Sequence, residues 1–177
     1  MPPRSGPDPA VPLRMSEIEG FALLERQAVR RVVPDFEWRT FDAPSPRHRL
    51  TVPLSDATVA LVSTSGARLS DQPRFDVASD EGDPSYQVIP ADTPTRRLRF
   101  NHAGYDVRHA YSDPDCVFPL ALLQRYAHEK RIGKVASRAY SLMGYITQTD
   151  ILLQETAPAI ARAMTADGVD LAFLVPA

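Results

Sequence analysis

The sequence predicts an α/β protein: a mostly parallel sheet with flanking helices, preceded by a disordered proline-rich N-terminal tail. Three observations carry that expectation. A continuous apolar run, 57–62 (ATVALV), reads as a strand covered on both faces, as in parallel sheets, and 169–175 (VDLAFLV) as a second strongly apolar strand. Helical spacing of apolar residues lies between them. The chain of 177 residues, 44% hydrophobic and 24% charged, has the make-up of an ordinary globular protein long enough to bury a core.

Residues 1–15 hold five prolines and no apolar periodicity. Such a stretch buries too little to offset its ordering entropy, which predicts a disordered tail. A helix and a proline-rich arm are expected over 16–54. Ser16 and Glu19 form a capping box. Ile18, Phe21, Leu24, Ala28 and Val32 follow at helical spacing, and Pro34 ends the run. Beyond it Pro44, Pro46 and Pro53 break regular structure, while Phe36, Trp38 and Phe41 are expected to pin the arm to the core.

The α/β domain is expected over 55–177. Its first strand, 57–62, runs into Ser63-Thr64-Ser65-Gly66. Residues 67–84 read as polar, with a turn at Gly82-Asp83-Pro84. Short strands are expected at 86–89 and 98–101, followed by a polar loop over 102–118. A helix beginning near Pro119 would turn Leu120, Leu123, Tyr126 and Ala127 inward. The next helical pattern, 149–166, places Leu153, Ala157, Ile160, Ala161 and Met164 on one face. Pro158 either kinks it or opens a second helix capped by Thr156. Gly168 is the expected stop before the last strand.

Charge and cysteine content exclude several functions. Twenty Lys+Arg stand against 22 Asp+Glu, a net charge of −2, so the basic excess of a nucleic-acid binder is missing. No apolar run reaches the roughly 20 residues that span a bilayer. The single cysteine allows neither an internal disulfide nor a multi-cysteine zinc cage. The expectation is a cytoplasmic protein with no nucleic-acid or membrane partner.

Two strand ends are the candidate sites, because ligands in parallel α/β sheets gather beyond the carboxyl ends of strands. At Ser63-Thr64-Ser65-Gly66, hydroxyls and backbone amides are suited either to holding a carboxylate or phosphate or to a hydrogen-bonded turn. At the second, His102, Tyr105 and Asp106 are substrate- or partner-facing candidates, with the carboxylate orienting the imidazole. The same loop allows a metal reading on His102, Asp106 and His109, but the spacing matches no helical metal motif. Cys116, beside Asp115, reads as a small, partly buried hydrophobe, since neighbouring carboxylates disfavour its thiolate. Arg96, Arg97 and Arg99 read as a solvated face, with an acidic partner surface as the alternative. Gly144 marks a tight turn or a close backbone contact. No catalytic set is complete.

A longer series of motifs adds to this reading. Val59-Ala60-Leu61-Val62-Ser63-Thr64-Ser65-Gly66 leads to Asp71-Gln72-Pro73 and Phe75-Asp76. Then come Gly82-Asp83-Pro84-Ser85-Tyr86, Ile89-Pro90-Ala91-Asp92-Thr93-Pro94, and His102 with Gly104-Tyr105-Asp106. Val117-Phe118-Pro119-Leu120, Tyr140-Ser141-Leu142-Met143-Gly144-Tyr145, Glu155-Thr156-Ala157-Pro158 and Asp167-Gly168-Val169-Asp170 complete it. In this order, over about 34–177, they resemble the selenoprotein B family, component B of the glycine, sarcosine and betaine reductases, with its D-proline reductase relative.

The resemblance implies an oxidoreductase that cleaves a carbon–nitrogen bond of an amino acid or amine with a thiol or selenol. It implies other reductase subunits or self-association as partners, and a small amino-acid-like substrate. It also implies a selenocysteine or cysteine motif after the last strand, and a pyruvoyl group on a partner subunit. Neither group is expected within this chain, which reads Val175-Pro176-Ala177 where the motif would begin. A selenocysteine codon, UGA, read as a stop would give this ending, and truncation is the favoured expectation. A short form that keeps the scaffold as a non-catalytic binding module is the alternative.

Overall fold

The computed structural model describes residues 48–177 and, before them, Leu23, Leu24, residues 27–31 and Pro34. Contacts gather into two units, Met1–Arg47 and His48–Ala177. In the first unit, 23–24 and 27–31 are helical, within the helix expected between Ser16 and Pro34. The Ser16–Glu19 capping box, the 1–15 tail and the rings of Phe36, Trp38 and Phe41 lie outside the described residues.

In the second unit, β1 (Thr58–Ser63) is the hub, and its near-unbroken burial follows from having a strand on each edge. Along one edge runs β7 (Leu171–Val175), parallel, from Val59 opposite Leu171 to Ser63 opposite Val175. Along the other, also parallel, lie β5 (Lys134–Val135) and then β6 (Arg138–Ser141), with Val59 opposite Val135 and Val62 opposite Tyr140. The partner line carries extra residues at Ala136 and Ser137, a bulge that breaks it into two strands. Outside β6 lies β3 (Gln87–Pro90), antiparallel. A separate antiparallel ribbon pairs β2 (Ala67–Leu69) with β4 (Leu98–Phe100).

Alternation along β1 sends its side chains into two cores. Val59 and Leu61 join Ala67, Leu69, Leu98 and Phe100 of the ribbon. The same cluster takes Ala110 from α1 (Val107–Ser112) and Leu120 and Leu123 from α2 (Leu120–His128). On the opposite face Val62 packs with Tyr140, Leu142 and Ile160, the last from α3 (Ala157–Ala166). Helices thus cover both faces of a mostly parallel sheet. Each large side chain sealed in this way, such as Leu61 at 0% exposure, contributes about 1.5–3 kcal/mol of burial.

The termini of β7 and α3 have specific chemistry. Gly168, at φ +65°, ends α3: its amide bonds to the Thr165 carbonyl and the Val169 amide to the Met164 carbonyl. Strand pairing then begins at Leu171 rather than 169, because Asp170 clamps the start of β1. The Asp170 amide donates to the Thr58 carbonyl at 3.0 Å and its carboxylate accepts the Thr58 amide at 2.8 Å.

Several local expectations are corrected. The 102–118 segment is not wholly loop: Asp106 accepts the Arg108 amide and opens α1, and Asp113 accepts the Asp115 amide at a 3-10 turn, Pro114–Cys116. Cys116 is exposed, not partly buried. Thr156 does not cap a second helix; its hydroxyl donates to the Pro84 carbonyl at 2.7 Å. The helix is continuous from residue 150, and a π turn at Leu152–Thr156 accommodates Pro158, whose ring lacks the amide an α turn would need.

Candidate functional site

The carboxyl ends of β1, β6 and β7 point the same way, because all three strands are parallel, and their trailing loops meet. Each residue of the first predicted strand end has a definite place there. Ser63 is buried; its hydroxyl donates to the Val117 carbonyl at 2.6 Å and accepts the Ser65 amide at 3.1 Å. The Thr64 amide donates to the Val175 carbonyl, and the Gly66 amide to the Leu142 carbonyl at 2.7 Å. All three amides after Ser63 are therefore consumed within the protein, and none is left to cradle an anion. Gly66 sits at φ +66° where a Cβ would overlap the Asn101 carbonyl, so the turn from β1 into β2 requires glycine.

What this loop presents outward is Thr64. Its Oγ1 accepts the Ala177 amide at 2.9 Å, which draws the end of β7 onto the same spot. His102, just past β4, faces it. Its Nδ1 accepts the Gly104 amide at 2.8 Å, which assigns the proton of the neutral ring to Nε2. Nε2 is buried and has no hydrogen-bond partner of good geometry among the described residues. Burial pushes the imidazole below its ordinary value, offset in part by the Thr64 backbone, so the ring is neutral at physiological pH.

Tyr105 supports this ring. The centroids lie 4.5 Å apart, tilted by 42°, and the phenol donates to the Ser65 carbonyl at 2.7 Å. Burial, with Cys116 and Tyr111 adding to it, pushes the phenol up to about 12, so it remains a donor. Asp106 takes a different direction. Its carboxylate caps α1 and forks onto the Arg108 guanidinium, 2.6 Å at the shortest contact. The His102–Asp106 partnership expected from spacing is thus replaced by an Asp106–Arg108 pair. His109 is exposed on α1, and among the described residues no group of three or more His, Cys, Asp or Glu is placed to hold a metal.

Gly144 belongs to the same edge and makes the close backbone contact that was one of its two expected roles. At φ +88° it lies where a Cβ would stand 3.0 Å from His102 Nε2 and 2.9 Å from the Thr64 carbonyl oxygen. Bare backbone here lets the loop pack closely against His102 and Thr64, where Nε2 is buried. The edge thus gathers the Thr64 hydroxyl, a buried neutral imidazole, a glycine and the end of a strand. That set can bind and orient a polar group; it carries no nucleophile.

The mostly parallel sheet with flanking helices places the chain in the α/β class, whose ligands commonly gather beyond the carboxyl ends of the strands. Within that class the family is specific. Residues 23–177 match the family of glycine/sarcosine/betaine reductase selenoprotein B, and the chain belongs to it. D-proline reductase subunit gamma of Acetoanaerobium sticklandii is 34% identical over 125 residues, covering 71% of this chain and 50% of that protein. The betaine reductase complex component B subunit beta of Peptoclostridium acidaminophilum is 34% identical over 135 residues, covering 71% and 30%. The glycine reductase complex component B subunit gamma of Carboxydothermus hydrogenoformans is 31% identical over 123 residues, covering 68% and 28%. The chain thus aligns with half or less of each of these relatives. No solved structure matches it significantly. Among the described residues no helix is long and apolar enough to cross a membrane.

Proposed function

We propose that this chain forms the substrate- or partner-binding part of a reductase that cleaves a carbon–nitrogen bond of an amino acid or amine. In this reading the thiol or selenol is supplied from outside these 177 residues. One observation carries it: Thr64, His102 and Gly144 meet the end of β7 at a single sheet edge, in a chain of this family. Residues following Ala177, or a partner's segment in their place, would enter beside His102. His102, its ring held in place by Tyr105, would help form the face that this segment or a substrate meets.

The chain's own thiol does not fit the redox role. Cys116 is its single cysteine and sits exposed on the turn after α1. A thiol-driven two-electron reduction closes a disulfide or selenosulfide, and that needs a second sulfur or selenium. No step is therefore assigned to a residue of this chain. The same observation favours a second reading, a non-catalytic module that binds an amino-acid-like anion or a partner subunit through this edge.

The test begins with the nucleotides from codon 178. A UGA followed by an open frame with a cysteine codon supports the reductase reading, and another stop with no continuing frame favours the binding module. The extended protein, assembled with its partner subunits, is then assayed with glycine, sarcosine, betaine and D-proline under a dithiol reductant. Amine release or ring opening in the assembly, and none from the 177-residue chain, is expected. His102→Ala should abolish it with the fold intact by circular dichroism. Full activity of that variant removes His102, and activity in the short chain that survives Cys116→Ser overturns the division of labour.

A further inference from the structure

We propose that a second cleft, on the β2–β4 ribbon, binds a small oxyanion: a carboxylate or phosphate group on a metabolite-sized molecule. This cleft of about 410 Å³ is lined by Arg68, Arg74 and Arg99 together with Ser70, Asn101 and Tyr111, and among the described residues no carboxylate lines it. The volume is that of a small-molecule site.

Arg68 and Arg99 stand directly opposite each other in the ribbon register. Directly opposed like charges on one face of a strand pair destabilise it. A soluble protein ordinarily relieves such a pair with an acid or lets both side chains reach water. Neither has happened here. Arg68 is only 8% exposed, and among the described residues none of the three arginines makes an ion pair. Leaving a buried guanidinium without an anion is costly, which makes the arrangement informative.

The guanidiniums are also held in place. Arg68 Nη1 donates to the Leu69 carbonyl at 2.9 Å and the Gln72 carbonyl at 3.2 Å. Arg99 Nη1 donates to the Leu98 carbonyl at 2.8 Å and the Arg96 carbonyl at 3.0 Å. Each guanidinium is thereby anchored by one nitrogen. Among the described residues Arg68 Nε is buried with no partner. The Tyr111 hydroxyl accepts the Phe100 amide, leaving its own proton to donate. Pre-fixed guanidinium forks with a hydroxyl beside them suit the planar oxygens of a carboxylate and the equatorial oxygens of a phosphate.

The cleft does not depend on the reductase reading, since none of its lining side chains belongs to the Thr64–His102 edge. Isothermal titration of the full 177-residue chain at low salt, with inorganic phosphate, malonate and uncharged malonamide, tests it. Saturable binding of phosphate or malonate and none of malonamide is expected. Stronger phosphate binding would identify a phosphoryl group, and stronger malonate binding a carboxylate. Arg99→Gln and the exposed Arg74→Ala, which leaves the buried Arg68 untouched, should each weaken binding about tenfold or more. Failure of both anions to bind saturably overturns the proposal. So does binding that both variants retain at full strength.

Discussion

Gly144 lies so close to His102 that a β-carbon added to it would stand 3.0 Å from the imidazole Nε2. The backbone at φ +88° also disfavours any L side chain. Gly144→Ala should therefore do two separable things. Strain at this φ should lower stability by about 1–3 kcal/mol, read from urea unfolding. The filled space should abolish ligand or substrate engagement at the edge, read in the assembled protein. Retained engagement alongside a stability loss would show that the space is not used.

The imidazole should make folding sensitive to mild acid. Burial lowers the folded-state pKa of His102 below 6.5, so the unfolded chain takes up this proton first as pH falls. Its stabilising contribution is complete above the ordinary value, is lost through the interval below it, and is gone beneath the folded value. Urea midpoints measured from pH 8 to pH 5 should fall, and His102→Gln should flatten that part of the curve. An unchanged slope in the variant would assign the acid sensitivity to another group.

Leu61, fully buried where β1 faces the ribbon and α2, is the residue whose truncation should cost most. Leu61→Ala is expected to lower stability by about 2–5 kcal/mol, the lost transfer energy plus the cavity left behind. A loss below 1 kcal/mol by denaturant titration would mean that the core collapses around the site.

Arg138 of β6 and Asp167 at the end of α3 form a two-pronged pair, with Nε–Oδ2 and Nη2–Oδ1 both at 2.7 Å. The guanidinium holds the Asp167 carboxyl below the usual carboxylate range. This contribution is present above the ordinary value of 3.8 and is lost as pH falls through the folded value. Asp167→Asn should lower Tm at pH 7, with the difference from the parent protein shrinking in strong acid. Equal Tm values at pH 7 would show that the pair is neutral in solution.

The strands legible in the sequence were those with an unbroken local run of apolar residues. β1 and β7 announce themselves as apolar runs, and α2 and α3 as periodic ones. The elements that were not legible owe their form to distant partners. β2 is three residues long with Arg68 at its centre, and β5 with β6 carries Lys134 and Arg138; only pairing with β4 and β1 makes them strands. α1 is a single short helix specified by the Asp106 cap, a signal that read equally well as loop chemistry. At the edge, sequence reasoning named Ser63, Thr64, Gly66, His102 and Tyr105, and the structure brings their segments together. It turns Asp106 away, because Arg108 two residues on is a nearer partner than His102. The arginine cleft was invisible because cross-strand register, not spacing, sets Arg68 against Arg99.

The pairing of β1 also sets a timetable. Its registered partners come from residue 134 onward, so its hydrogen bonds cannot form until that part of the chain exists. Closing such long loops is entropically expensive before any contact rewards it, and sheets joined in this way fold slowly. While the ribosome is still adding residues between 64 and 133, the central strand of the sheet stands unpaired. Its exposure during synthesis leaves apolar surface open to aggregation until the later strands arrive.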